Sequence, residues 1–311
     1  MMVANTKPDH HPERPLYAIL LRLGSMVALG SMFATVKLIS EHGVSLVEGL
    51  FFRQLFSLPI PLAAVLMGPG LGELRTSVFR KHVSRAALGL GGLTFNFLSF
   101  IMLPLAEATT FGFTVPIFAT ILSALMLGEA VGRHRWAAVV LGFLGVLIVL
   151  RPGAADAHLP PLGVAVALIG AVFSSLITIY VRDLSRTEQP TTISFWYAAL
   201  SLVPLGALMF IYAQPHEPFV WGLMVAVGLL GGLGQLTMTA ALKWAPVSVV
   251  IPMDYSMLIW TTALGWLVWG NWPPAIAWVG TMFIVASGLY IAWREWVRLR
   301  DIRSERPPGI G

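Results

Sequence analysis

The chain has 311 residues, 57% of them hydrophobic and only 11% charged, with a mean hydropathy of +0.78. That composition excludes a soluble domain of this size and requires an integral membrane protein. The absence of cysteine excludes disulfides, thiolate metal sites and cysteine nucleophiles, and the surplus of five positive charges follows the membrane rather than a nucleic-acid partner.

A bilayer core takes about 20 apolar residues per helix. On that measure ten spans are expected, at 16–39, 46–67, 84–104, 106–127, 135–151, 161–182, 193–213, 219–241, 247–269 and 274–293. Residues 1–15 form a polar tail without the pattern of a cleavable signal, and 295–311 form a basic tail. Turn chemistry separates the spans, as at Gly68-Pro-Gly70, Arg151-Pro-Gly153 and Asn271-Trp-Pro-Pro274. Seventeen of the 20 Lys and Arg residues fall on one side, among them Arg22, Arg75, Arg80, Lys81 and Arg85. Arg151 stands alone on the other, and Lys37 and Arg53 lie within spans. The positive-inside rule therefore puts both termini in the cytoplasm, with the inner (cytoplasmic) membrane as the expected location. An even number of spans requires the same.

The chain repeats itself at an offset of 139–145 residues. Phe51-Phe-Arg53 recurs as Phe195-Trp-Tyr197, Lys37-Leu-Ile-Ser40 as Arg182-Asp-Leu-Ser185, and Gly92 and Asn96 as Gly231 and Gln235. The units are 16–153 and 160–294, with five spans each. An odd count inverts the second unit relative to the first, so the expected fold is all-α, ten transmembrane helices in two inverted five-helix repeats.

The residues Ala106 to Gly128-Glu129, Arg135-Trp136, Gly142-Phe-Leu-Gly145 and Arg151-Pro-Gly153 carry a family resemblance. So do Ala241-Leu242, Pro252 with Tyr255, Trp269-Gly270, Trp278-Val-Gly280 and Gly288 in the second half. The chain resembles the drug/metabolite transporter superfamily in its ten-span EamA-like branch. The resemblance implies a central cavity lined mainly by the third, fourth, eighth and ninth helices.

The stretch Ile251-Pro-Met-Asp-Tyr255 is the focus of the functional reading. A carboxylate at the centre of a membrane helix costs about 2.5–3.5 kcal/mol on translocon scales, which makes Asp254 a candidate binding group. Pro252 frees the carbonyl of Ser248, and broken helices carrying a buried acid build midplane sites in transporters. Arg53 lies about 10 Å deep in the second span at 1.5 Å per residue, too deep to snorkel; a structural role with Glu48 or a carbonyl is the alternative. Arg22 and Lys37, near the ends of the first span, are expected to snorkel. Arg53 and Asp254 are expected about 10 Å apart in depth in a core of about 30 Å, a spacing suited to a zwitterion held between them.

The other candidate substrate-binding residues are Asn96, Ser99, Thr110, Phe113, Thr114, Thr178, Tyr197, Gln235 and Tyr255, with Phe95 and Trp196 as further aromatics. Single hydroxyls among them are better read as interhelical hydrogen bonds worth roughly 0.6 kcal/mol each. No Walker loop, H-E-x-x-H or G-x-S-x-G occurs, and the glycine runs serve helix packing. The expectation is a secondary transporter, not an enzyme. It needs no cofactor or metal, and its partners are the bilayer, a small-molecule substrate and a coupling proton at Asp254. An amino-acid-like substrate is the first reading. A planar heterocycle such as riboflavin or S-adenosylmethionine is the second, and a lipid-handling or structural protein the reading from another class.

Overall fold

The structure, a computed structural model, describes residues 14–127, 131–151, 159–185, 187–245 and 250–304. Glu129, Gly128, Pro152, Gly153 and Ser248 lie outside these residues, and with them the carbonyl that Pro252 would release. Among the described residues every regular element is a helix, and nine stretches are long and apolar enough to cross a membrane.

The first span is α1 (Pro15–Glu41). The second is split into α2 (Leu46–Ser57) and α3 (Pro59–Leu66), the break falling at Leu58 ahead of Pro59 and Pro61. A 3₁₀ turn at Leu71–Leu74 follows, then α4 (Phe79–Met102). The fourth span is again split, into α5 (Leu105–Gly112) and α6 (Val115–Leu127). The first repeat ends with α7 (Arg133–Leu150). In the second, α8 (Pro161–Leu184), α9 (Pro190–Tyr212) and α10 (Pro218–Trp244) each open on proline, where no intrahelical N–H is needed. A 3₁₀ turn over Ile251–Tyr255 leads into α11 (Ser256–Trp269), and α12 (Ala275–Ser304) closes the chain.

The broken spans correspond. Val115-Pro116 and Ile251-Pro252 stand at the fourth-span and ninth-span irregularities of the two repeats. Of the helix expected over 247–269, the described residues form a 3₁₀ turn over Ile251–Tyr255 followed by a helix over Ser256–Trp269. Proline at 252 removes the donor that a continuous α-helix would need.

Packing obeys the same exchange. The first span lies along the eighth as the sixth lies along the third, and the second touches the eighth as the seventh touches the third. The fifth meets the tenth, the second the seventh, and the fourth the ninth. Each of these last pairs maps onto itself when the repeats are swapped. Glycine makes one of them possible: a Cβ on Gly145 or on Gly280 would lie 2.7 Å from the other's carbonyl oxygen. The backbones of α7 and α12 are thus in direct contact.

Candidate functional site

Both ends of the bundle are tied shut by polar side chains. At the end where α4 and α9 begin, Thr191 and Thr192 bond Glu73 in the first 3₁₀ turn, the latter to its carbonyl at 3.0 Å. Thr76 donates to Glu188 at 2.7 Å, Lys81 pairs with Asp183 at 2.8 Å, and Trp196 Nε1 donates to the Leu74 carbonyl at 2.9 Å. A cavity of about 460 Å³ opens here, lined by Glu73, Arg75, Thr76 and Glu188 among others, away from the centre of the bundle. At the opposite end Lys37 Nζ reaches the carbonyls of Phe100, Ile101 and Leu103, the last at 2.9 Å. Glu48 caps its own helix with Ser45 and also receives Gln214 N and His216 Nε2, each at 2.9 Å. Trp269 donates to Glu41 at 2.7 Å.

Between these ends lie two regions of buried charge. In the first, Arg22 is only 7% exposed and grips Asp254 with two nitrogens, Nε on Oδ1 and Nη2 on Oδ2, the latter at 2.6 Å. Its Nη1 donates to the Met238 carbonyl at 3.1 Å. This corrects the expectation that Arg22 snorkels to the surface: it ties α1 to α10 and to the turn before α11. Lys37 likewise ends on carbonyls of α4 and the turn after it, not in solvent. The carboxylate of Asp254 is engaged by Arg22 and not by Arg53.

In the second region Arg53, 6% exposed, donates from Nη1 to Gln54 Oε1 at 2.5 Å and sits over the Tyr197 ring at 5.8 Å. Glu48, its expected structural partner, is occupied elsewhere. The sequence match of Arg53 to Tyr197 is thereby a contact in space, since the second and seventh spans meet each other in the bundle. Arg85 lies over the same ring at 4.4 Å. Tyr197 fixes the arrangement by donating its hydroxyl to the Gly89 carbonyl at 3.2 Å. Gly89 leaves the space: a Cβ there would clash with Arg85 Nη1 and lie 2.5 Å from the tyrosine ring. Gly231 does the same for Arg53, whose Nε is 3.3 Å from the corresponding Cβ position.

Arg85 was expected among the loop charges. The signal that marks it is its place four residues before Gly89, the first of the glycines on α4, where α9 comes close. Arg22 carries a comparable mark, standing between Leu21 and Leu23 well inside an apolar run.

The remaining candidates fall into three groups. Phe113 and Tyr255 meet edge to face at 4.8 Å, joining the irregularities of the fourth and ninth spans, with Tyr255 leaning on Gly288 of α12. Asn96 bonds Ser174 at 3.3 Å and joins α4 to α8; Thr110 bonds Thr281 at 3.1 Å and joins α5 to α12. Ser99, Thr114 and Thr178 each return their hydroxyl to a carbonyl of the preceding turn, and Thr178 is exposed. Gln235 is half-buried on α10. Of the further aromatics, Phe95 stacks on Phe173 at 5.4 Å between α4 and α8, and Trp196 anchors the 3₁₀ turn at the bundle end. Among the described residues no group of acidic and histidine side chains is arranged to hold a metal.

A family model, the EamA-like transporter family, matches the chain twice, over residues 16–151 and 161–293. A riboflavin transporter of Vibrio cholerae is 31% identical over 291 residues, covering 90% of this chain and 95% of that protein. A riboflavin transporter of Rhizobium johnstonii is 32% identical, covering 91% and 90%. The pseudopaline exporter of Pseudomonas aeruginosa is 28% identical over 86% of this chain and 95% of its own length. The matches span both repeats, and they meet the bundle where its packing exchanges between those repeats: the chain is a multi-pass membrane transporter belonging to the EamA-like transporter family.

Proposed function

We propose that this transporter carries a planar heterocyclic metabolite, with a vitamin of the riboflavin kind as first candidate. The observation that carries the reading is the set of ring surfaces at the middle of the bundle. Tyr197 lies beneath two guanidinium planes, and Phe113 faces Tyr255 where two spans lose their helical continuity. Irregular backbone at membrane depth is tolerated where it lines a binding site. The likeness to riboflavin transporters over nine-tenths of the chain supports the same substrate class. The amino-acid-like reading has lost one of its two supports, because the carboxylate meant for the ligand's amine is held by Arg22.

In this reading Arg53, Tyr197, Phe113 and Tyr255 touch the substrate, and the two repeats rock about the paired contacts of the second with the seventh span and the fourth with the ninth. Proton coupling belongs to the Arg22–Asp254 pair, where protonating the carboxylate would break the two-point contact and free α1 from the turn before α11. The double variant Arg22→Gln/Asp254→Asn should then carry substrate without responding to a pH gradient. Both termini are cytoplasmic. Impermeant labelling from outside should reach Ala213→Cys and spare Arg80→Cys in this cysteine-free chain.

The deciding experiment is flux into proteoliposomes. Riboflavin should enter vesicles containing the protein faster than protein-free vesicles, and unlabelled amino acids in excess should not compete. Flux of a labelled amino acid above that of protein-free vesicles, with no riboflavin flux, would return the zwitterion reading.

A further inference from the structure

Arg53 and Arg85 approach one tyrosine ring from two helices, and among the described residues neither has a carboxylate partner. The helices around them, α4, α9 and α10, contain no acidic residue. The acids of adjoining elements have other partners: Glu73 has Thr191, Glu188 has Thr76 and His82, Glu48 has Ser45, Gln214 and His216, Asp183 has Lys81, Glu41 has Trp269, and Asp254 has Arg22. Four buried nitrogens of the cluster have no hydrogen-bond partner among the described residues: Arg53 Nε, Gln54 Nε2, and Arg85 Nε and Nη1. Buried ions are normally paired and bonded, since an unpaired one costs several kcal/mol even after relaxation. Here two positive charges share one site, which adds repulsion. Guanidinium groups present planar forks of donors suited to two oxygens of a carboxylate or phosphate.

We propose that Arg53 and Arg85 form an anion site at the contact of the second and seventh spans, and that the transported molecule carries an oxyanion, carboxylate or phosphate, seated between them. Gln54 donates from Nε2 to the same group, and Tyr197 offers its ring to the flat part of the ligand. The proposal rests on the heterocycle reading above and narrows it, since riboflavin has the ring system but no oxyanion. Arg22 is the internal comparison: an arginine as buried as Arg53 for which the chain does provide the carboxylate.

The test is thermal unfolding of the purified full chain in detergent with riboflavin, flavin mononucleotide, inorganic phosphate and acetate, each at the same concentration. Flavin mononucleotide should raise the midpoint several degrees more than riboflavin does. Arg85→Gln should abolish that difference, and Arg85→Lys should restore part of it, which a merely structural arginine would not show. Retained size-exclusion behaviour and a cooperative unfolding transition without ligand show that Arg85→Gln is folded. Stabilisation by phosphate or acetate but by neither flavin, lost in Arg85→Gln, upholds the anion site, identifies which oxyanion it takes, and overturns the flavin reading. Equal stabilisation by the two flavins that survives Arg85→Gln overturns the anion site and leaves the flavin reading standing. No stabilisation by any of the four overturns the anion site.

Discussion

Arg22 and Arg85 enter the bundle to nearly the same extent, seven residues into α1 and six into α4, yet they meet opposite surroundings. Arg22 finds a carboxylate, a carbonyl and a place where three elements cross, and it acts as a fastener. Arg85 finds a tyrosine face, a glycine and a second arginine. A buried charge that is satisfied by its own chain holds a structure together. One that is left to repel its neighbour stores a preference for whatever brings the missing charge. The difference separates the framework of this transporter from the part that receives a ligand, and it can be broken from either side.

The largest effect should come from removing the partner of the satisfied arginine. Asp254→Ala leaves the Arg22 guanidinium buried and unpaired, for which losses of about 3–5 kcal/mol are typical. The lower end, about 3 kcal/mol, is expected here because the Asp254 side chain is 31% exposed and water relieves part of the penalty. Thermal unfolding of the detergent-solubilised protein measures it. The double variant Arg22→Leu/Asp254→Leu should recover most of the loss, since an apolar pair of similar volume often replaces a buried ion pair without cost. A single variant as stable as the wild type would mean that the pair is not the fastener described.

Gly89→Ala comes next, because it attacks the unsatisfied region through space rather than charge. The added methyl would collide with Arg85 and with the Tyr197 ring, both side chains able to shift. Overpacking of this kind costs about 1–3 kcal/mol, and about 1–2 kcal/mol is expected when flexible side chains give way. Flavin binding should weaken as well, since the ring is displaced. Stability lost with binding intact would separate Tyr197 from the substrate.

The outline of this molecule was legible in its residues. Ten apolar runs, the five-span offset and the counterparts Gly92 and Gly231 led to an all-α bundle of two inverted repeats, because hydropathy and odd parity are properties of the sequence itself. The pairing of charges was not legible to the same degree. Arg22 lies 232 positions from Asp254, and its place near the start of a span reads equally as a snorkelling surface group. Arg85 was hidden by the basic loop beside it, since Arg75, Arg80 and Lys81 make a fourth neighbouring charge look like more of the same. Arg53 and Tyr197 were visible as repeat counterparts, but their contact required knowing that the second and seventh spans pack against each other. Hydroxyls such as Ser99 and Thr114 return to their own helix, a local competition for carbonyls that face-counting does not weigh.

A neutral pair gives the scale against which both charged regions are judged. Ser174→Ala removes the acceptor of the Asn96 amide at 3.3 Å, a long bond between α8 and α4. The amide keeps its bond to the Gly92 carbonyl at 2.7 Å, so no donor is wholly stranded. Interhelical hydrogen bonds in membranes average about 0.6 kcal/mol, and a loss of that size or less is expected in the same unfolding measurement. A loss comparable to that of Asp254→Ala would make ordinary polar contacts, not charge, the main fastening of the bundle.

The smallest change in the unliganded protein should come from Arg85→Gln, and its smallness is the point. The substitution gives up the stacking of a guanidinium on Tyr197, worth about 0.5–1 kcal/mol at a partly exposed site. Against this it removes a positive charge that has no counter-ion among the described residues and faces Arg53, a relief of the opposite sign and at least similar size. The two contributions oppose each other, so the midpoint of the apo protein should hold or rise. Asp254→Ala also changes one charge, but it unbalances a site that was neutral, whereas Arg85→Gln brings its site closer to neutrality. Unfolding midpoints of the two variants, measured without ligand in one detergent, therefore move in opposite directions relative to wild type. A clear fall for Arg85→Gln would show that a protein group satisfies this arginine after all, and that the two regions are fasteners of one kind.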